Sequence, residues 1–341
     1  MGMFRVSGET METTNQTGAL HQILSGQHIT SLFQPIVSLS AACVHGYEAL
    51  SRGPSNSPLH SPLTLFPTAR NAGRLYELEM ACKASACEAF SQRGFAGKLF
   101  INVSPDSLLD PAHRPGRTLE LLKFWGVPPD QVVIELTEQA PTDDFALLDR
   151  ALHHYREMGF SIALDDLGAG YSSLRLWSEL RPDYVKIDRY FIDGIHHDVV
   201  KREFVGSILD IARASNTQVI AEGIEMEEEL VVLQDMGVDL VQGYLFGRPL
   251  EAPDQSGAGL LWGQRPGLSI AGIAMMPQSQ PLSAAVQRFR SDSDLQALAL
   301  HDEHGRPIAR LRRAAYGNGL PLEQVDLLLE ALPSPGALLC H

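Results

Sequence analysis

Between about residue 30 and residue 250, short apolar or β-branched runs recur eight times, separated by longer segments with helical spacing. The runs are SLFQPIVSL, VHGYEALSR, KLFINVS, VVIELTE, SIALDDL, YVKIDRY, TQVIAEGI and LVQGYLF. Most are near-continuous rather than alternating, which is the pattern of strands buried on both faces. Eight such alternations over this length predict a TIM-type (β/α)8 barrel, an α/β fold, with a doubly wound open sheet as the alternative. The intervening segments support the pattern. In DDFALLDRALHHYREMG, Leu148, Leu152 and Tyr155 share one stripe and Gly159 supplies a stop. MEEELVVLQDMG opens on carboxylates, which a helix N-terminus favours, and closes at Gly237.

Functional side chains of such a barrel come from the C-terminal ends of several strands. Here Glu48 closes the second run, Asn102 the third, Glu135 and Glu138 the fourth, and Asp165 with Asp166 the fifth. Lys186 and Asp188 close the sixth and Glu222 the seventh, while Gln242 enters the eighth. Glu48, Asn102, Glu135, Asp165, Asp166 and Glu222 thus bring five carboxylates and one amide to one rim, without histidine or cysteine. Left bare, such a cluster repels itself and raises its own pKa values. An all-oxygen ligand set selects Mg²⁺ or Mn²⁺ over zinc, and the number of carboxylates suffices for two ions. Two metals about 3.5–4 Å apart are a recurring device for phosphodiester hydrolysis. Lys186 suits charge developing on a phosphate, and Arg52 a non-bridging phosphate oxygen. Read alone, the Asp165-Asp166 pair could equally be a helix cap and turn. Adjacent side chains on a regular strand face opposite ways, so the two can share a site only if the backbone turns there; Gly168 and Gly170 allow such a turn.

A formal net charge of -14 argues against broad binding to nucleic-acid polymers or anionic membranes, while leaving a local cationic pocket open. No uncharged run approaches the roughly 18 apolar residues of a spanning helix, and the first residues lack a signal-peptide core. Cys43, Cys82, Cys87 and Cys340 contain no CxxC pair and form no disulfide framework, which fits a reduced, cytoplasmic chain. The adjacent pairs His153-His154 and His196-His197 offer no zinc spacing, and GAGYSS lacks the third glycine of a dinucleotide loop.

The organisation expected is a flexible tail over 1–18, the barrel over 19–252, a Gly/Pro-rich linker over 253–268 and a small α+β segment over 269–341. In that segment a short strand, a helix from about Leu282 to Phe289, and a hairpin of LQALALHD and PIARLRR turning at EHGR are expected.

The ordered motifs FQPIV, YEALSR with Glu48-Ala49-Leu50, NVS, ELTE, DDLGAGYSSL, VKID, AEGIE and QGYLFGRP resemble the EAL-domain family, phosphodiesterases that open cyclic di-GMP to linear pGpG. The resemblance covers about residues 20–250. It implies one metal held by Glu48, Asn102, Glu135 and Asp165, and a second between Asp165 and Asp166 with Glu222 near it. It also implies Lys186 as catalytic lysine, Glu222 as ligand or general base, and Gln242 as support for the metal shell. Gln34, Leu50 and Arg52 correspond to positions that contact the dinucleotide. Ser172, in a mobile loop after the aspartates, would be anchored by Glu138, and the family implies a homodimer through the barrel. Leu167 stands where phenylalanine is commoner, a change in loop packing more than in chemistry. Some relatives only bind cyclic di-GMP, so a catalytically silent receptor governed by the C-terminal segment is the alternative. That segment resembles about one CBS-type module, VQRFRSDSDLQALALHDEHGRPIARLRR, without a second copy.

Overall fold

The structure is a computed structural model of the 341-residue chain. It describes residues 7–26, 28–41, 43–114, 116–136, 145–168, 173–253, 273–277, 279–291, 297–301, 307–313 and 327–331.

The chain opens on α1 (Ser7–Gly26), β1 (Thr30–Ser38), β2 (Cys43–Arg52), α2 (Pro62–Asn71) and α3 (Leu75–Arg93). Then come β3 (Lys98–Val103), α4 (Pro105–Leu108), α5 (Arg117–Trp125), β4 (Val132–Leu136), α6 (Phe145–Glu157) and β5 (Ser161–Leu167). The circuit is completed by α7 (Ser173–Leu180), β6 (Tyr184–Ile187), α8 (Arg189–Ile192), α9 (Val199–Ser215), β7 (Gln218–Ala221), α10 (Glu227–Asp235) and β8 (Leu240–Gln242). β1 to β8 close into one barrel in chain order, so every apolar run named above contributes a strand.

One strand is reversed. β1 runs antiparallel to both β2 and β8, whereas β2 to β8 are parallel. The cause is connection length: residues 39–42 are all that separate β1 from β2, and a parallel pair needs a crossover of a dozen or more residues. After β8 the chain returns to β1, where Phe33 and Leu250 exchange backbone hydrogen bonds of 2.7 and 3.1 Å.

The barrel interior is filled in layers. Ile36, Phe100, Val133, Ala163, Tyr184, Ile220 and Leu240 form one apolar cluster inside it. Outside, a larger core lies between strands and helices and contains Leu148, Leu152 and Tyr155 of α6, the stripe expected from their spacing. Gly159 and Gly237 follow α6 and α10 with φ of 95° and 86°, the left-handed geometry that ends a helix.

Within the segment expected as a tail over 1–18, α1 starts at Ser7. Its Leu20, Ile23 and Leu24 are buried with Leu59, Leu65 and Leu78. That i, i+3, i+4 stripe lies beyond residue 18, and a helix nucleated by packing there extends N-terminally at little cost per residue. Cys82 and Cys87 are buried free thiols. The linker lies largely outside the described residues. Beyond it, β9 (Ile273–Pro277), α11 (Leu282–Ser291), β10 (Ala297–His301) and β11 (Pro307–Arg313) fall where a strand, a helix and a hairpin were expected. β12 (Leu327–Ala331), not anticipated, completes a sheet of order β12-β11-β10-β9. Among the described residues, no helix is long and apolar enough to cross a membrane.

Candidate functional site

The polar rim is built by a two-residue step. On β3 to β8, the residues of the internal apolar layer are Phe100, Val133, Ala163, Tyr184, Ile220 and Leu240. Two positions further along the same strands or just past their ends stand Asn102, Glu135, Asp165, Lys186, Glu222 and Gln242. Side chains two apart on a strand share a face, so both sets point inward. On the reversed β1 the step runs backwards, from Ile36 to Gln34, and Gln34 lies opposite Glu48 in the β1–β2 ladder.

Lys186 is the centre of this layer. Its Nζ lies 2.6 Å from Glu222 Oε1, 3.0 Å from Glu135 Oε1, 3.2 Å from Glu48 Oε2 and 3.2 Å from Asp165 Oδ1, with only 1% of the side chain exposed. Glu48 is further held by Asn102 Nδ2, which donates to Oε1 at 3.0 Å, and by Gln242 Nε2, which donates to Oε2 at 2.6 Å. Gln242 Nε2 also reaches Gln34 Oε1 at 3.2 Å, and Gln34 Nε2 donates to the Gly247 carbonyl at 3.1 Å.

The electrostatics follow from one buried ammonium facing four carboxylates. Burial acts to lower the Lys186 pKa, but Asp165, Glu135, Glu222 and Glu48 together hold it well above the usual lysine value. Glu48 is opposed by burial too, yet Lys186 and the Gln242 and Asn102 hydrogen bonds keep it below the ordinary carboxylate range. Glu135 and Glu222 are pushed well up, first by burial and then by neighbouring carboxylates, against the pull of Lys186. Asp165 is raised by burial and by Glu48, and Asp166 is raised to about 6 by burial and the adjacent Asp165.

The paired aspartates occupy one face because the strand breaks regular geometry between them. Asp166 has φ of 54°, a left-handed conformation rare outside glycine, and the β5–β6 register shifts between Leu164 and Leu167. One oxygen each from Asp165, Asp166 and Glu222 lie within 4.8 Å of one another. The turn expected of the following glycines is therefore made already at Asp166. Gly168, φ 103°, leaves no room for a side chain, since a Cβ there would run into the Phe191 ring.

A cavity of about 300 Å³ opens over these groups, lined among others by Gln34, Glu48, Leu50, Asp165, Asp166, Lys186, Glu222 and Gln242. Arg52 stands beside it, half-buried, and donates from Nη1 to the Ser51 carbonyl at 2.9 Å. Glu138 and Ser172, expected to anchor a loop, lie outside the described residues. Asp188 is not a strand end: it caps α8, accepting from the Tyr190 amide at 2.8 Å, and it also lines the cavity. Sequence reasoning gave no role to Arg189, Glu225 or Tyr244, which line the mouth as well. Arg189 pairs with Glu225 at 2.8 Å, and Arg248 sits 4.1 Å from the Tyr244 ring centre. Their signal was available in DRY, AEGIE and QGYLFGRP, adjacent to residues that were assigned.

The donors fit a hard divalent cation. Glu135 Oε2 and Gln242 Oε1 are buried and accept no hydrogen bond, a costly state for polar oxygens unless an ion or water answers them. The ligand atoms on offer are all oxygens, the preference of Mg²⁺ and Mn²⁺.

An α/β barrel whose mouth gathers carboxylates around a buried lysine defines a class of acidic, cation-binding barrels. A model of the EAL domain matches residues 17–249 of the chain. The chain belongs to the EAL family. It is 28% identical over 251 residues to the cyclic di-GMP phosphodiesterase PdeF of Escherichia coli K12, an alignment covering 73% of this chain and 33% of that protein. The chain thus spans about a third of the length of such relatives. Among solved structures, it resembles Klebsiella pneumoniae BlrP1 in its manganese and cyclic di-GMP complex, with 34% identity, TM-score 0.61, and 66% of this chain and 57% of that one covered. A standalone EAL protein from Vibrio cholerae O395, bound to cyclic di-GMP, is 32% identical with TM-score 0.59, covering 66% of this chain and 93% of that one.

Proposed function

We propose that the chain is a divalent-metal-dependent phosphodiesterase that hydrolyses one phosphodiester bond of cyclic di-GMP to linear pGpG in the cytoplasm. One observation carries the reading: four carboxylates of the family motifs converge on the buried Lys186 ammonium, Asn102 holds one of them, and Asp166 turns toward the same site as Asp165. The names of its relatives and the ligands of the solved structures supply the substrate and the cation class.

Glu48, Asn102, Glu135 and Asp165 would hold one Mg²⁺ or Mn²⁺ ion, and Asp165 and Asp166, with Glu222 beside them, a second. Bound there, the cations supply Lewis acidity toward phosphate oxygens and toward the attacking water. The protein's own groups do the rest. Lys186, kept charged by its carboxylate shell, offsets negative charge that grows on the phosphate in the transition state. Glu222, whose carboxyl burial and its acidic neighbours push well up, is ligand or general base. Gln242 braces Glu48, and Gln34, Leu50 and Arg52 orient the dinucleotide. Glu138 and Ser172 would tie the loop that follows Asp166.

A second copy is the proposed partner of the barrel, on the evidence of Tyr190, Val199, Val200 and Phe204, which are between 54% and 70% exposed on and beside α8 and α9. The segment after residue 269 is proposed as a regulatory or interaction module. Turnover with and without the residues after 255 tests it, and equal rates would count against regulation.

The deciding experiment incubates pure protein with cyclic di-GMP and Mg²⁺ or Mn²⁺ and separates the products chromatographically. Conversion to pGpG supports the reading. Binding without product would make the chain a silent cyclic di-GMP receptor instead.

A further inference from the structure

Ser104, the last residue of the NVS run, takes no part in the chemistry above, yet it is buried behind the site and fully engaged. We infer that Glu79 and Ser104 are positioning residues that set Asn102 against Glu48 and so tune the cation affinity of the mouth, an inference that rests on the divalent-metal reading of that site.

Glu79 lies on α3, outside the barrel, with 3% of its surface exposed. Its Oε1 accepts both Ser104 Oγ at 2.6 Å and the Ser104 amide at 3.2 Å. Ser104 Oγ in turn accepts the Ser107 amide at 3.2 Å and caps α4. A hydroxyl has one proton to give. With that proton on Glu79 and a lone pair on Ser107, the serine has a single orientation, and the backbone leaving β3 is clamped to α3. Asn102 sits two residues earlier on the same strand, and its amide donates to Glu48 Oε1 at 3.0 Å. Glu48 is the carboxylate that Lys186 and Gln242 also hold. The route from helix to site is therefore one carboxylate, one serine and one strand end. Burying a carboxylate is costly without strong partners. Burial pushes the Glu79 carboxyl above its ordinary range, against two hydrogen bonds from Ser104 and the charge of Lys83 one turn along α3, itself 1% exposed.

The test measures Mn²⁺ binding to the metal-free full-length protein by calorimetry, with melting temperature recorded for each variant. Ser104→Ala should weaken Mn²⁺ binding about tenfold, the scale of losing a group that orients a ligand. Ser104→Thr, which keeps the hydroxyl, and Glu79→Gln, which keeps an accepting oxygen, should stay within about twofold of wild type. In an Asn102→Ala background, Ser104→Ala should add no further loss, because the two would act through one ligand. A Ser104→Ala protein that melts earlier but binds Mn²⁺ as wild type does would overturn the inference. So would full additivity with Asn102→Ala. If the wild type itself binds no Mn²⁺, the reading of the mouth fails and the inference with it, an outcome recognisable without any variant.

Discussion

Two layers of the same barrel, two residues apart on the same strands, solve burial in opposite ways. The lower one, from Ile36 through Phe100, Val133 and Ile220 to Leu240, closes by apolar packing. The upper one is as deeply buried at Glu135, 0% exposed, and at Lys186, 1%, but it closes by charge. The lower layer contributes stability with no unmet demand. The upper layer leaves carboxylate and amide oxygens without hydrogen bonds and drives most of its acids toward protonation. A chain keeps such a layer for what it binds, and the fold beneath it provides the stability that the layer itself withholds.

The contrast can be broken most sharply from above. Glu48→Ala or Lys186→Ala should lower turnover of cyclic di-GMP by more than about a hundredfold, the scale of removing an electrostatic stabiliser. Unchanged turnover in both, measured by product chromatography, would refute the assigned layer. From below, Phe100→Ala should cost about 3–5 kcal/mol in denaturant unfolding. The protein that stays folded should still bind Mn²⁺.

A buried histidine packs against the lower layer. His45 Nε2 lies 3.2 Å from the Tyr184 hydroxyl, and the ring packs near Phe100. Burial, then the charge of Lys98, lowers its pKa from 6.5 to about 4, with Asp239 opposing. The unfolded chain therefore takes up this proton first, so stability is intact above about pH 6.5 and falls as pH drops toward 4, by about 3 kcal/mol in full. His45→Asn should flatten that part of the pH profile of unfolding; an unaltered profile would show that the ring protonates freely in the folded state. The smallest effect expected is a gain. Glu135→Gln removes a charge that burial disfavours, so the metal-free protein should become more stable by about 1 kcal/mol. It should lose cation binding at the same time, a separation that thermal melts with EDTA and with Mn²⁺ would reveal.

Much of this was legible in the chain. The eight strands and the polar residues at their ends follow from run length and from a step of two, and both are properties of local sequence. The reversal of β1 could have been read from the four-residue gap between Ser38 and Cys43, too short for a crossover. α1 was not anticipated, because its apolar anchors Leu20, Ile23 and Leu24 follow a polar stretch. Three features were beyond local pattern. Lys186 reaches four carboxylates from four other strands, which only closure of the barrel brings together. The left-handed Asp166 is a strained choice that neighbouring glycines concealed. Glu79 reads as one more acid on a helix until Ser104 is seen to lie on it.

The central claim is that the upper layer is a site for divalent cations. Its most direct test is a calorimetric titration of the metal-free protein with Mn²⁺, alongside the double variant Glu135→Gln, Asp165→Asn. The account predicts saturable binding by the wild type, at two ions per chain, and its loss in the double variant. No binding by the wild type, or equal binding by the variant, would contradict it.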